Sequence, residues 1–179
     1  MSRDADTGDS LATPAIIEDL FLTNTFLIKG RLANKYHRLT KMLEDTEQTF
    51  LTIEDALMVP VRGGRVVETP RVLVNREELL LAHEFVATSG DDAQRMLADN
   101  DKPVPIRAFY SGPMQLEISG QVEPGAYEPS ANMGRRYFIV QQPKIRGLDS
   151  RLVPGLQVLD GLPYAILRKS KLSYIYDLG

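Results

Sequence analysis

The chain contains no cysteine, which excludes disulfides, thiolate nucleophiles and cysteine-ligated zinc or iron–sulfur centres and fits a reducing compartment. Only two histidines are present, His37 and His83. They lie far apart and outside any ligand-spacing motif, whereas a metal site needs three or four convergent donors. No apolar run approaches the roughly 20 residues that cross a bilayer, and residues 1–14 are polar and acidic instead of basic and then apolar. A cytoplasmic chain with neither a membrane span nor a secretion leader is therefore expected. No serine sits in a Gly-x-Ser-x-Gly elbow, and the Gly63–Gly64 pair lacks the Lys-Ser/Thr continuation of a phosphate loop, so it reads as a hairpin turn. The paired acids Glu54–Asp55 and Glu77–Glu78 are adjacent in presumed strands and point to opposite faces, so neither pair converges as an acid/base couple. These absences predict a protein that is not an enzyme and carries no cofactor and no metal.

What is present is an ordinary globular composition, 43% hydrophobic and 25% charged over 179 residues, which is enough apolar surface to offset the entropy of ordering the chain. It is also an internal repeat. The segment 20–32 reads LFLTNTFLIKGRL and the segment 109–122 reads FYSGPMQLEISGQV. Each has an aromatic-apolar stretch, an interruption at Asn24–Thr25 or Gly112–Pro113, then alternating apolar residues up to Gly30 or Gly120. Phe50-Leu51-Thr52-Ile53 matches Tyr137-Phe138-Ile139-Val140, both rich in strand-forming residues. The ten residues from Val72 to Leu81 match those from Ala165 to Tyr174, each an apolar triplet, a polar four-residue turn and a second strand.

Three blocks in one order predict a mainly β protein of two tandem, small, strongly bent five-stranded barrels with short connecting helices. Residues 1–14 are expected to form a mobile tail, 15–86 the first unit, 87–103 a linker with a short helix and 104–179 the second unit. The long first strand of each unit is expected to bend at its interruption, and Gly30 and Gly120 to permit sharp curvature. Leu39, Met42 and Leu43 at helical spacing predict a short helix within 37–48, where the second unit has only a Gly/Pro/Ser-rich loop over 123–134.

The motifs Ile28-Lys29-Gly30-Arg31-Leu32, Phe50-Leu51-Thr52-Ile53-Glu54-Asp55-Ala56 and Val72-Leu73-Val74-Asn75-Arg76 resemble those of the Sm-like (Lsm) family, a small barrel related in shape to SH3-like barrels. Arg38-Leu39-Thr40-Lys41-Met42-Leu43 before the third strand is also similar to a bacterial domain family of unknown function. The resemblance covers most of the first unit and is vaguer in the second. It implies pairing of the fourth strand of one barrel with the fifth of the next, because an open barrel leaves two unsatisfied edges. A homo-oligomer joined through edge strands, serving as a scaffold or regulatory partner and open to a protein partner, is the favoured expectation.

A nucleic-acid surface is the second expectation. Lys29, Arg31, Lys35, Tyr36, His37 and Arg38 fall in one short stretch, and Arg168, Lys169 and Lys171 in another, within a second unit that is net basic while the rest of the chain is net acidic. Charge and aromatic stacking together would attract a single strand. Two features weigh against it and make the first stretch a solvated strand-to-helix connection. The acids between Glu44 and Glu47 stand beside the first cluster, and the turn at Asn75-Arg76-Glu77-Glu78 puts two acids where the Sm-like family receives phosphates.

Overall fold

The computed structural model describes residues 18–45, 47–85, 102–128 and 134–178. The expected tail over 1–14, most of the linker over 87–103 with its helix, and residues 129–133 of the loop over 123–134 lie outside them. The protein is mainly β. Its strands are β1 (Asp19–Leu22), β2 (Phe26–Leu32), β3 (Phe50–Pro60), β4 (Val67–Asn75) and β5 (Leu81–Glu84), then β6 (Val104–Tyr110), β7 (Leu116–Val122), β8 (Tyr137–Arg146), β9 (Tyr164–Arg168) and β10 (Tyr174–Asp177). One helix, α1 (Leu39–Glu44), lies between β2 and β3, and 3-10 segments cover Arg76–Glu78, Pro154–Gly161 and Lys169–Lys171.

All ten strands belong to one antiparallel sheet that does not close, in the order β10-β6-β7-β8-β9-β5-β1-β2-β3-β4. The first five strands and the last five follow the same internal order, and the halves join where β9 meets β5 with Leu81 opposite Leu167 and Ala82 opposite Ile166. The free edges are β4 and β10.

The interruptions at Asn24–Thr25 and Gly112–Pro113 do not bend a strand; they reverse it. β1 pairs back on β2 with Leu22 opposite Leu27, and β6 on β7 with Tyr110 opposite Leu116. In the first half the cause is local: the Thr23 hydroxyl accepts from the Thr25 and Phe26 amides at 3.2 and 3.0 Å, a side-chain turn that competes with extension.

The glycines meet their expectation. Register shifts flank Gly30 in β2 and Gly120 in β7. A Cβ on Gly30 would lie 2.7 Å from the Glu54 carbonyl oxygen, and one on Gly120 2.6 Å from that of Gln141 and in overlap with Val140 Cγ1. Opposite them, Asp55 and Gln142 adopt left-handed backbone, φ 49° and 47°. Each half therefore carries a bulge at the same place, a device that sharpens twist and permits curvature.

Two apolar layers flank the sheet, and both draw on both halves. One joins Leu20, Leu22 and Val59 to Ile106, Ile118 and Leu156; the other joins Phe21, Ile28 and Leu51 to Tyr137, Tyr164 and Ile166. Leu20, Phe21 and Leu22 alternate between the layers, as successive strand residues must. The central strands β1, β5 and β9 are buried along their whole length. Helix α1 buries Leu39, Met42 and Leu43 in the second layer, the three positions that its spacing marks. Gly63 and Gly64, at φ 81° and 127°, make the turn from β3 to β4. No helix among the described residues is long and apolar enough to cross a membrane.

Candidate functional site

The first basic stretch is internally paired. Lys29 meets Glu18 at 2.8 Å, and Arg31 meets Glu54 and Asp55 at 3.0 and 3.3 Å. Lys35 sits between two buried carboxylates, 2.6 Å from Asp19 and 2.6 Å from Glu84, whose other oxygen receives Arg38 at 3.0 Å. Tyr36 donates to Asp45 at 3.0 Å, and its ring lies edge-on to His37. Burial holds the Asp19 carboxyl above the usual carboxylate range, against the opposing pull of Lys35. This arrangement ties the segment after β2 to the ends of β1 and β5, and it leaves each cation of the stretch facing a carboxylate. An incoming polyanion would have to displace those carboxylates.

The second stretch divides. Arg168 is buried at the junction of the halves, donating to the Arg76 carbonyl at 2.6 Å and to Ser170 at 2.8 Å and pairing with Glu77 at 2.5 Å. Lys169 and Lys171, on the 3-10 turn that follows, form no ion pair among the described residues, and neither do Lys41 and Arg135. The two histidines stay apart: His83 is buried on β5 and shares a 2.8 Å hydrogen bond with the Tyr164 carbonyl. Among the described residues no cluster of three His, Asp or Glu side chains could hold a metal.

Lys41 and Arg135 line a cleft of about 350 Å³ between α1 and β8, with Thr40, Glu44, Glu123 and Ile139 around it. Its origin is the loop that replaces the helix in the second half. In the first half β2 continues past its end, and the Ala33 amide still bonds the Thr52 carbonyl at 2.9 Å. In the second half the corresponding pairing stops at Gln121 opposite Gln141, and the chain turns away through Glu123–Glu128. No protein-family model matches this chain, and neither a curated protein nor a solved structure matches it.

Backbone direction along β8 follows from two flanking bonds to β9, Lys169 N–H to Arg136 C=O at 2.9 Å and Gln142 N–H to Pro163 C=O at 2.8 Å. In an antiparallel ladder the pairing alternates. The Arg136 carbonyl, Phe138, Val140 and the Gln142 amide therefore face β9, while the Tyr137 amide and the amides and carbonyls of Ile139 and Gln141 are turned to the opposite side; the Arg136 amide, at the strand end, leaves the ladder for Glu44. Gln141 meets β7 there. Glu44, the last residue of α1, takes the Tyr137 amide at 2.9 Å and the Arg136 amide at 3.0 Å, and its own carbonyl accepts from the Arg136 guanidinium at 3.0 Å. Between those stops, no hydrogen bond among the described residues takes up the outward N–H and C=O of Ile139.

Behind the cleft, Tyr137 and Arg76 are buried, and burial raises the Tyr137 hydroxyl pKa and lowers that of the Arg76 guanidinium. Burial also lowers Lys169, beside Glu44 and Arg135. Sequence reasoning named Lys169 and Arg168 but missed Glu44 and Ile139. Glu44 reads in the sequence as one acid among several near the basic stretch, and nothing in a strand-forming Tyr-Phe-Ile-Val run marks which amide lacks a neighbour.

Proposed function

We propose that the protein is a non-catalytic assembly module in which two Sm-like five-stranded units, fused in tandem, self-associate through their edge strands. The observation that carries this reading is the β5–β9 junction, since strand β9 of the second half docks on β5 of the first while the corresponding strands, β4 and β10, stand free. Unpaired edges invite further strands. The same five-strand order and the same bulges in both halves support the tandem reading.

If the internal junction is the template, its register transfers. Matching 72–81 to 165–174 turns Leu167 opposite Leu81 into Val74 opposite Tyr174 of a second copy, and Ile166 opposite Ala82 into Leu73 opposite Ile175. Continuing two steps sets Arg71 opposite Asp177, a favourable cross-strand charge pair. Leu73, Tyr174 and Tyr176 are large apolar side chains left exposed on these two edges, as a surface awaiting cover would be.

Light scattering after gel filtration should give a mass above the 20.0 kDa of one chain. Leu73→Pro should return the monomer with an unchanged circular-dichroism spectrum. The Arg76 amide bonds the Thr49 carbonyl, so by alternation the Leu73 N–H points outward from β3 and its loss touches only the free edge. A strict monomer at high concentration sinks the proposal. Nucleic-acid binding is the second reading, carried once the first stretch is discounted by Lys169 and Lys171 alone, which form no salt bridge among the described residues.

A further inference from the structure

We propose that the cleft between α1 and β8 receives an acidic, extended segment of a partner protein, which adds to β8 as a short extra strand at Ile139. The inference is independent of self-association, because β8 lies inside the sheet and neither β4 nor β10 takes part.

Two observations fix the occupant. The first is the open rung. The Ile139 N–H and C=O face the cleft, with Gln141 paired to β7 on one side and the Tyr137 N–H taken by Glu44 on the other. An extended peptide satisfies such a donor and acceptor with its own main chain, which is how strands are added to sheet edges. The second is charge. Lys41 and Arg135 on the walls, and Lys169 beside Glu44 and Arg135, form no salt bridge among the described residues, although the charge of Glu44 acts on Lys169 at longer range. Of the two acids that line the cleft, Glu44 already accepts from two backbone amides. Glu123 is left as the opposing charge. Lys169 is also partly withdrawn from water, so an anionic group arriving beside it restores what burial removes.

A nucleic-acid strand fits less well. The rings nearest the cleft, Tyr137 and Phe138, are each only 5% exposed and packed into the two apolar layers, which leaves no face on which a base could stack. Phosphates would find the cations but not the alternating donor and acceptor of Ile139.

The probe is a fluorescein-labelled octapeptide alternating glutamate and valine, titrated against the full chain by fluorescence anisotropy, with the Ile139 amide followed by NMR. Binding should weaken at least about tenfold when the peptide backbone is N-methylated on one edge, since the donor to the Ile139 carbonyl is lost and the methyl group holds the peptide carbonyl away from the Ile139 N–H. The triple substitution Lys41→Glu, Arg135→Glu, Lys169→Glu should weaken it by about tenfold or more, and so should raising the salt. The Ile139 amide should shift on binding. An N-methylated peptide that binds equally well, an unmoved Ile139 amide, an Ile139 amide already protected in the free chain, or an oligothymidylate that binds as tightly and displaces the peptide would each overturn the proposal. The methylated-peptide arm needs no protein variant, so it stands even if the triple substitution fails to fold.

Discussion

The two halves of this sheet share five strands in one order and part company at one place, the connection between their second and third strands. In the first half that connection forms α1, and its residues Lys35 and Arg38 are locked onto Asp19 and Glu84. In the second half the chain leaves β7 early, and the ladder that runs on through Ala33 in the first half stops at Gln121. Two halves of one strand order thus share their bulges and differ in what covers their ends. The strands set the scaffold, and the difference between the connections creates the cleft.

The sharpest way to break the shared part is to remove the bend. Gly120→Ala places a methyl against the Gln141 carbonyl and Val140, and Gly30→Ala places one against the Glu54 carbonyl and Ile53. In each case one obstacle is backbone, which cannot swing aside like a long side chain. Urea denaturation should show a loss of about 2–3 kcal/mol for each, the upper range for overpacking. Gly120 should lose more because its conflict is closer. A variant of either glycine with unchanged stability would mean that the bulges are not what closes the two main chains together.

The second difference is between a covered and an open edge. His83 on β5 is buried against β9, while the equivalent position on β10 is the half-exposed Tyr176 with no strand beyond it. Burial lowers the His83 pKa, opposed by its bond to the Tyr164 carbonyl and by the charge of Glu84. The folded protein therefore resists protonating a group that the unfolded chain protonates near pH 6.5. Its contribution to stability is fully present above that pH and falls as acid carries it down through the depressed folded value, by at most about 1.4 kcal/mol per pH unit. His83→Gln, which retains a donor for the Tyr164 carbonyl, should flatten the slope below pH 6.5. Identical slopes for the two proteins would show that His83 is protonated without cost to the junction.

Much of the scaffold was legible because it rests on short-range rules. The repeat in the sequence aligned β2 with β7, β3 with β8 and the last strand pairs; the spacing of Leu39, Met42 and Leu43 placed α1; and Gly63–Gly64 marked its turn. The hairpin turns at Asn24–Thr25 and Gly112–Pro113 were less readable, since an interruption within an apolar run looks the same whether the chain bends or reverses. At the first of them the Thr23 hydroxyl decides it, through bonds at most three residues long. The cleft was not legible at all. It depends on Glu44 reaching Arg136 and Tyr137, more than 90 residues away in the chain, and on the phase of the β8–β9 ladder. The basic stretch around Lys29 illustrates the converse, where composition suggested free charge and tertiary contacts supplied Glu18, Asp19 and Glu84 to neutralise it.

The finest comparison lies in the two strained residues of the bulges. Asp55 and Gln142 hold equivalent left-handed positions, and both are exposed. A side chain there is disfavoured by about 1–2 kcal/mol, but aspartate tolerates the region because its short carboxylate can bond locally, whereas glutamine has no such relief. Glycine removes the clash and gives back roughly 0.5–1 kcal/mol through the greater freedom of the unfolded chain. Gln142→Gly should therefore raise stability by a few tenths to about 1 kcal/mol, and Asp55→Gly by less. The latter also forfeits the exposed 3.3 Å pair with Arg31, a small loss in solvent. Thermal melts of the two variants side by side decide the matter: a larger gain at Asp55 than at Gln142 would mean that the strain is set by the surroundings of each bulge and not by the side chain that occupies it.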